Sequence, residues 1–386
     1  MQLEVIGVGG AGCRLADAIR AVEPTEHAFC TDVFAFDTEA STLRSTVLPE
    51  SHRHRYADGT ALGAPDGLEG AIETGFEIGR EHADELLEVV ARGSPTDADA
   101  FLVAVGLGGT TGSATAPGLV AALQRQYDVP VYVLATLPAD REFDPEADDG
   151  TGTGPHSRSV RADSEAPPRP NAATNAVATL ERLDGLASAI VVFDNEAWLR
   201  PGESLADARD RCNRELATRV AASFASGGTD GAVAQNVIDA SDRERILGNE
   251  SGIVTLGYGD QTVETTESRF GLGLLSTKRD VETSEAVSAV ETVVQKGIRG
   301  KLTLECEPET ADRGLLIVGG PPNWLDRHAI AEGRRTLQST VGEGILGGDA
   351  PRPDGETVFA AVVLAGVRST RLEELQAAAA QAKTAD

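Results

Sequence analysis

Short apolar runs alternate with longer amphipathic stretches through the first half of the chain. Leu3–Val8 reads as a strand, followed by a glycine turn and a helical run from Arg14 to Val22. Val33–Phe36, Phe101–Val105, Val131–Thr136 and Ala189–Phe193 repeat the strand pattern. A helix is expected from about Leu68 to Ala91, because Leu68, Ile72, Phe76, Ala83, Leu87 and Val90 recur at intervals of three, four or seven. Another is expected from about Thr115 to Tyr127. Strands alternating with helices predict an α/β fold with a doubly wound parallel sheet. Parallel strands are buried on both faces, which accounts for unbroken runs such as Val-Tyr-Val-Leu-Ala.

Residues 143–170 interrupt this rhythm. They are rich in proline, glycine and charge and lack periodicity, so they read as a disordered or mobile insertion. A long helix follows from Glu203 to Phe224, with Leu205, Ala208, Cys212, Leu216, Val220 and Phe224 near one stripe. Beyond Gly227-Gly228 the texture changes. Strands are expected at Ile253–Tyr258, Leu315–Val318 and Val358–Leu364, and helices at Ser284–Val294, Asp326–Thr340 and Arg371–Ala382. The expected organisation is a first α/β domain over 1–202, a core helix over 203–226 and a smaller α+β domain over 227–386.

Charge narrows the partners. The chain holds 61 acidic and 34 basic residues, a formal net charge of −27, with four lysines and 4% aromatic content. Such a surface is repelled by phosphate backbones and anionic lipid, which argues against nucleic-acid binding and membrane association. It suits concentrated salt, where charges are screened over about 3 Å at 1 M. The four cysteines are scattered without a CxxC pair, and no histidines stand in an HExxH pattern, so neither a disulfide framework nor a zinc site is expected. Met1 leads directly into the first apolar run, and no apolar stretch approaches the roughly 20 residues of a bilayer span. A cytoplasmic location without membrane insertion is the expectation.

Two glycine-rich loops carry the chemistry. Gly7-Val8-Gly9-Gly10-Ala11-Gly12 satisfies GxGxxG between a strand and a helix, where backbone can approach a phosphate at a helix N-terminus. With Asp37 closing the second strand, this loop alone fits an NAD-binding oxidoreductase. The second loop, Gly106-Leu107-Gly108-Gly109-Thr110-Thr111-Gly112-Ser113-Ala114, shifts the weight. An NAD enzyme does not need it, whereas two such loops can approach one nucleotide from two sides, with Thr110, Thr111 and Ser113 adding hydroxyl donors. The lysine of a Walker A loop is missing.

These residues resemble the tubulin/FtsZ superfamily of GTPases, most of all its archaeal CetZ branch. Gly106–Ala114 is similar to the GGGTGSG signature and Gly7–Cys13 to the first phosphate loop. Phe36–Ala40 resembles the second loop and Gly59–Ala64 the third. Leu137-Pro138-Ala139-Asp140-Arg141-Glu142 and Phe193-Asp194-Asn195-Glu196-Ala197-Trp198 resemble runs of CetZ proteins. The likeness continues through Gly319–Pro322 and Gly347–Pro351, so it covers nearly the whole chain in order.

The resemblance implies binding of GTP or GDP, with magnesium accompanying the triphosphate. The phosphate-binding residues would be Gly9, Gly10, Ala11, Gly12, Cys13 and Arg14 in the first loop. In the second they would be Gly108, Gly109, Thr110, Thr111, Gly112 and Ser113. Asn195 and Asn213 would read guanine and Glu142 the ribose. No dedicated metal cage is visible; Asp37 and Glu39 are the nearest acidic candidates. Val237–Asp242 resembles the synergy loop that enters the nucleotide site of the next subunit, which assigns Asp239 and Asp242 to positioning and polarising a water. Head-to-tail contacts that do not close build a filament. Thr110 and Ala114 stand where the signature has glycine; a side chain at positive φ costs about 1–2 kcal/mol. The chain ends soon after the helix near 371–382, without the linker and apolar tail peptide of the FtsZ branch. That implies a cytoskeletal role in cell shape in a halophilic archaeon, rather than a division ring. The competing reading is a non-hydrolysing regulatory paralogue that binds nucleotide and co-assembles with an active relative.

Overall fold

The fold is that of a computed structural model, which describes residues 1–24, 28–63, 72–144, 169–225, 236–248, 250–264, 283–342, 344–353 and 355–385. In chain order the first half runs β1 (Leu3–Val8), α1 (Gly9–Val22), β2 (Cys30–Asp37), α2 (Ala40–Ser45), β3 (Arg53–Arg55), α3 (Ile72–Glu81), α4 (Ala83–Val90), β4 (Ala100–Gly106), α5 (Thr111–Gln126), β5 (Val131–Leu137), α6 (Ala172–Leu183), β6 (Ala189–Asp194) and α7 (Asn195–Trp198). The second half runs α8 (Leu205–Phe224), α9 (Ala240–Leu247), β7 (Gly252–Thr262), α10 (Thr283–Arg299), β8 (Arg313–Gly320), α11 (Arg327–Val341), β9 (Ile345–Pro351), β10 (Thr357–Ala365) and α12 (Thr370–Ala385).

The ten strands form one sheet in the order β3-β2-β1-β4-β5-β6-β7-β10-β8-β9. The first seven in that order pair in parallel, as expected of strands joined through helices. β10 pairs antiparallel with both β7 and β8, so the sheet is mixed. Burial on both faces explains the apolar runs. Leu3 and Val5 belong to the core under α1 and α8, whereas Ile6 and Val8 belong to the core under α3, α4, α5 and α6. A third core, built on Val290, Val293 and Val294 of α10, covers one face of the second-half strands.

α8 is the central strut. Ser204 caps it through its hydroxyl, which accepts from Asp207 N at 3.2 Å. Ala208, Cys212, Leu216 and Val220 then pack in the same core as Leu315, Ile317 and Phe359 of the second half. Twenty residues at 1.5 Å each make it about 30 Å long. α12 crosses the other way: Leu375 and Ala379 join the core that holds Ala173 and Ala176 of α6.

Several boundaries differ from the sequence reading. α1 starts at Gly9 rather than Arg14 and α5 at Thr111 rather than Thr115, so the first glycine turn is itself helical, and the second glycine loop is shorter, with Thr111 and Ser113 in a helix whose N-cap position is Thr110. The helix expected over 68–91 is two helices, α3 and α4, divided at His82; its expected start lies outside the described residues. Of the insertion expected over 143–170, residues 145–168 lie outside the described residues. Its two edges are ordered, with Phe143 packed on the core and Arg169 N donating to Glu142 O at 2.9 Å.

Candidate functional site

Both glycine loops stand where the strand order of the first half reverses, between β1 and β4, at the carboxyl ends of those strands. That is the crevice in which open α/β sheets bind ligands. Gly9 opens α1 with φ +70°, and a Cβ there would lie 2.7 Å from Gly112 N. A Cβ on Gly112 would lie 2.8 Å from Val8 O, and one on Gly106 would lie 2.5 Å from the Ala11 Cβ. The two loops nest because side chains are missing from both. Neither α1 nor α5 has a side-chain cap, so first-turn N–H groups and the positive ends of two helix dipoles are left for a ligand.

The loops form one end of an open cleft of about 1520 Å³, wider than the roughly 300–1,000 Å³ of common small-molecule pockets. Its charge runs against that of the chain. Arg14, Arg44, Arg55, Arg141, Arg169 and Arg209 line it against four carboxylates, Asp37, Glu39, Glu142 and Glu203. A protein of net −27 has therefore gathered a positively charged wall at one place. Burial, reinforced by Arg209 and Arg169, holds the Arg14 guanidinium below its ordinary value. Its Nε has no hydrogen-bond partner among the described residues. Clustered guanidinium groups beside two helix N-termini fit a polyanion.

Twelve of the fifteen expected ligand-binding residues line the cleft; Gly12, Cys13 and Ser113 do not. A Cβ on Gly12 would lie 2.1 Å from Ala104 O, so this glycine lets α1 press onto β4. Cys13 is fully buried and its Sγ donates to Phe36 O at 3.4 Å. Ser113 Oγ donates to Leu107 O at 2.6 Å, tying down the loop from behind. Thr110 has φ −87° and Ala114 lies within α5, so neither is strained where the signature has glycine. Among the described non-glycine residues, positive φ occurs at Ala57 and Ser251, away from both positions.

At the other end of the cleft, the loop after β5 and the start of α7 are cross-linked. Asn195 Nδ2 donates to Leu137 O at 2.7 Å, and Asp140 N donates to Glu196 Oε2 at 3.0 Å. Glu142 Oε2 accepts from Ala139 N at 2.9 Å, while Oε1 pairs with Arg169 Nη1 at 3.0 Å. Asn213 reaches the same wall from α8. Asp37 is buried and braced by its own turn: Oδ1 accepts from Thr38 N at 2.7 Å and from Glu39 N at 3.3 Å, and burial raises its carboxyl above the ordinary range. No group of three or more potential metal ligands occurs among the described residues.

Asp239 and Asp242 do not line this cleft. They sit at the start of α9, where exposed Asp239 caps the helix and its Oδ1 accepts from Asp242 N at 2.8 Å. That bond, with one from Ser241, holds the Asp239 carboxyl below its ordinary value. Asp242 pairs with Arg245 at 3.0 Å. Buried Arg243 anchors the turn to the far end of α8, donating from Nε to Ser223 O at 3.0 Å. Residues 226–235, which precede the expected synergy loop Val237–Asp242, lie outside the described residues.

The sequence reading did not nominate five of the lining arginines. Their signal was present only as rare basic residues in an acidic chain, dispersed from Arg44 to Arg209.

A mixed, largely parallel sheet with two phosphate-type loops at its switch point has the arrangement of a tubulin/FtsZ-class fold, and comparison with known proteins agrees. Residues 2–148 match the GTPase domain of the tubulin/FtsZ family, and residues 202–381 match the C-terminal domain of tubulin-like CetZ. Tubulin-like protein CetZ5 of Haloferax volcanii is 31% identical, covering 99% of this chain and 92% of its own length. CetZ3 of the same organism is 34% identical, covering 98% and 92%. A GDP-bound monomer of H. volcanii CetZ1 superposes with a TM-score of 0.79 at 28% identity, covering 99% of this chain and all of that one. A GTPγS-bound protofilament of H. volcanii CetZ2 gives 0.77 at 25% identity, covering 100% and 99%. The chain belongs to the tubulin-like CetZ family within the tubulin/FtsZ superfamily. The acidic composition is consistent with that of a halophile, as the Haloferax relatives suggest. The oxidoreductase reading is set aside, since its single loop is half of a two-loop GTPase-type site. No helix among the described residues is long and apolar enough to cross a membrane.

Proposed function

We propose that this protein binds GTP in the cleft and hydrolyses it within a head-to-tail filament that organises cell shape. The observation that carries this reading is that the candidate acids stand apart from the cleft they would serve. The cleft has phosphate loops and arginines, while the acidic pair Asp239 and Asp242 projects from α9 without lining it. In a stack, the acids of one subunit enter the cleft of the next. The GDP-bound monomer and GTPγS-bound protofilament among the relatives support both the ligand and the assembly.

The two loops and the helix N-termini would hold the phosphates, and the arginines would stabilise charge developing on the transferring phosphoryl group. Asn195 and Asn213 offer paired donors and acceptors to the guanine edge, and Glu142 accepts from the ribose. Asp239, kept ionised, orients the attacking water, and such acid–base help is worth roughly 10²–10⁴-fold. Asp37 and Glu39 are the acidic groups beside the phosphate end, and magnesium characteristically uses one or two carboxylates plus phosphate oxygens and water. With Asp37 Oδ1 occupied by backbone donors, these residues fit a metal held mainly through the phosphates. Bound there, it would neutralise phosphate charge.

GTP turnover per subunit, measured against protein concentration in molar salt, tests the shared site. Turnover should rise with concentration, and Asp239→Ala should abolish it while nucleotide binding persists. A concentration-independent rate overturns the mechanism; bound GTP without turnover favours the regulatory paralogue.

A further inference from the structure

Arg371 stands in the first turn of α12, far along the chain from the cleft, yet its buried guanidinium reaches both loops at the base-reading end. Nε donates to Asp194 Oδ1 at 3.2 Å, Nη1 pairs with Asp140 Oδ1 at 2.7 Å, and Nη2 donates to Pro138 O at 3.1 Å. Asp194 immediately precedes Asn195 and caps α7, where its Oδ1 accepts from Glu196 N at 3.2 Å. Asp140 and Pro138 belong to the turn that carries Glu142. Ser369, two residues earlier, fixes the approach, since its Oγ donates to Glu305 O at 2.7 Å.

We infer that Arg371 is a positioning residue for nucleotide selectivity: one planar fork from the C-terminal helix holds the base-reading and ribose-reading loops in register. The inference rests on the proposed GTP site. Its physical basis is that Asp140, Asp194 and, at 3.8 Å, Glu374 surround one cation, with Glu196 adding negative charge close by. Without it, buried Asp194 and its neighbours repel, and the two loops are driven apart. A guanidinium suits the task because its donors point in fixed, coplanar directions at several oxygens; an ammonium offers a single point of charge. Arg371's hydrogen bonds and ion pairs go to the Pro138–Asp140 turn, Asp194 and Glu374 rather than to the phosphate loops, which meet the clamp where Gly108 faces Pro138, so the effect falls chiefly on base and ribose.

The test compares two probes, GTP and inorganic tripolyphosphate, the second of which engages the phosphate loops alone. In Arg371→Lys, GTP affinity should fall about tenfold or more, as displacement of positioned groups by a fraction of an ångström implies. Tripolyphosphate affinity should be unchanged. Asp140→Asn, which removes the more exposed arm of the clamp, should show the same pattern more weakly in a protein that folds normally. Equal losses for both probes, or no loss of GTP affinity in either variant, overturn the inference. If the wild type binds GTP no better than tripolyphosphate, the proposed base-reading site itself is wrong.

Discussion

Replacing Gly9 by alanine tests whether the two loops act as one surface. The new methyl group meets two separate costs. The first is backbone: φ +70° suits glycine, and a Cβ there costs about 1–2 kcal/mol. The second is collision: the Cβ would sit 2.7 Å from Gly112 N and 3.0 Å from its Cα. Both are backbone atoms at the start of α5, so relief requires moving a helix N-terminus, and overpacking of this kind costs about 1–3 kcal/mol. Gly185 supplies the control. It has φ +75°, lies in the turn between α6 and β6, and has nothing within 4 Å of its virtual Cβ. Gly185→Ala should therefore lose only the backbone contribution and keep wild-type nucleotide binding. Gly9→Ala should lose roughly twice to three times as much stability and bind GTP at least tenfold more weakly, because the loops no longer share one ligand. Urea denaturation in molar salt and titration with a fluorescent GTP analogue read the two effects. Equal stability losses, with unchanged affinity in both variants, would refute the nested-loop geometry.

Other expectations follow from the same structure. Glu4 is fully buried in β1, and burial pushes its carboxyl from 4.5 up to about 7 against a hydrogen bond from Thr31. Below pH 4.5 both folded and unfolded states are protonated and nothing is lost. Between 4.5 and 7 the unfolded chain ionises first, so stability falls as pH rises, reaching a penalty of about 3 kcal/mol above 7. Glu4→Gln should raise the denaturation midpoint markedly at pH 8.5 and little at pH 5; equal gains at both would show that the carboxyl is not desolvated. Asn195→Ala should lower preference for GTP over ATP while leaving tripolyphosphate binding intact, measured by competition; undiminished selectivity would remove Asn195 from base recognition. Subunits of net −27 repel when stacked, so light scattering should show GTP-dependent assembly in molar salt and disassembly on dilution into low salt. Assembly that strengthens as salt is removed would exclude this charge balance.

The parts of the fold that were legible share one property: the local signal and the tertiary context agree. Leu3–Val8 with its glycines, and Phe101–Val105 with its own, combine an apolar run with turn residues, and both form strand-to-helix junctions. The remainder was set by neighbours remote in sequence. β9, with Gly347-Gly348-Asp349-Ala350-Pro351, has little strand character, yet it pairs with β8 at a sheet edge, where proline and aspartate are tolerated. Thr110-Thr111-Gly112-Ser113 reads as loop, but the close approach of Gly112 to Val8 lets α5 begin at Thr111. The arginine wall assembles from α1, α2, β3, α8 and the segments carrying Arg141 and Arg169, and no window of sequence contains it. The family resemblance nominates Cys13 and Ser113, the second also for its hydroxyl; a loop needs tethers as well as ligands, and both side chains serve as tethers.

The seam between β6 and β7 carries a mechanical consequence. Three residue pairs join them, Ala189 with Gly252, Ile190 with Ile253 and Val191 with Val254, whereas β7 and β10 share nine. A ladder that narrows so abruptly concentrates shear along one line. Twist on one side can change there while the nine-pair ladder moves as a plate. α8 on one face, and on the other α12 through Arg371, span the two plates, so they act as tie rods across this joint. Load passed along a filament would reach the loops of Asp140 and Asp194 through those rods, and amide exchange should be faster across this seam than across the β7–β10 ladder.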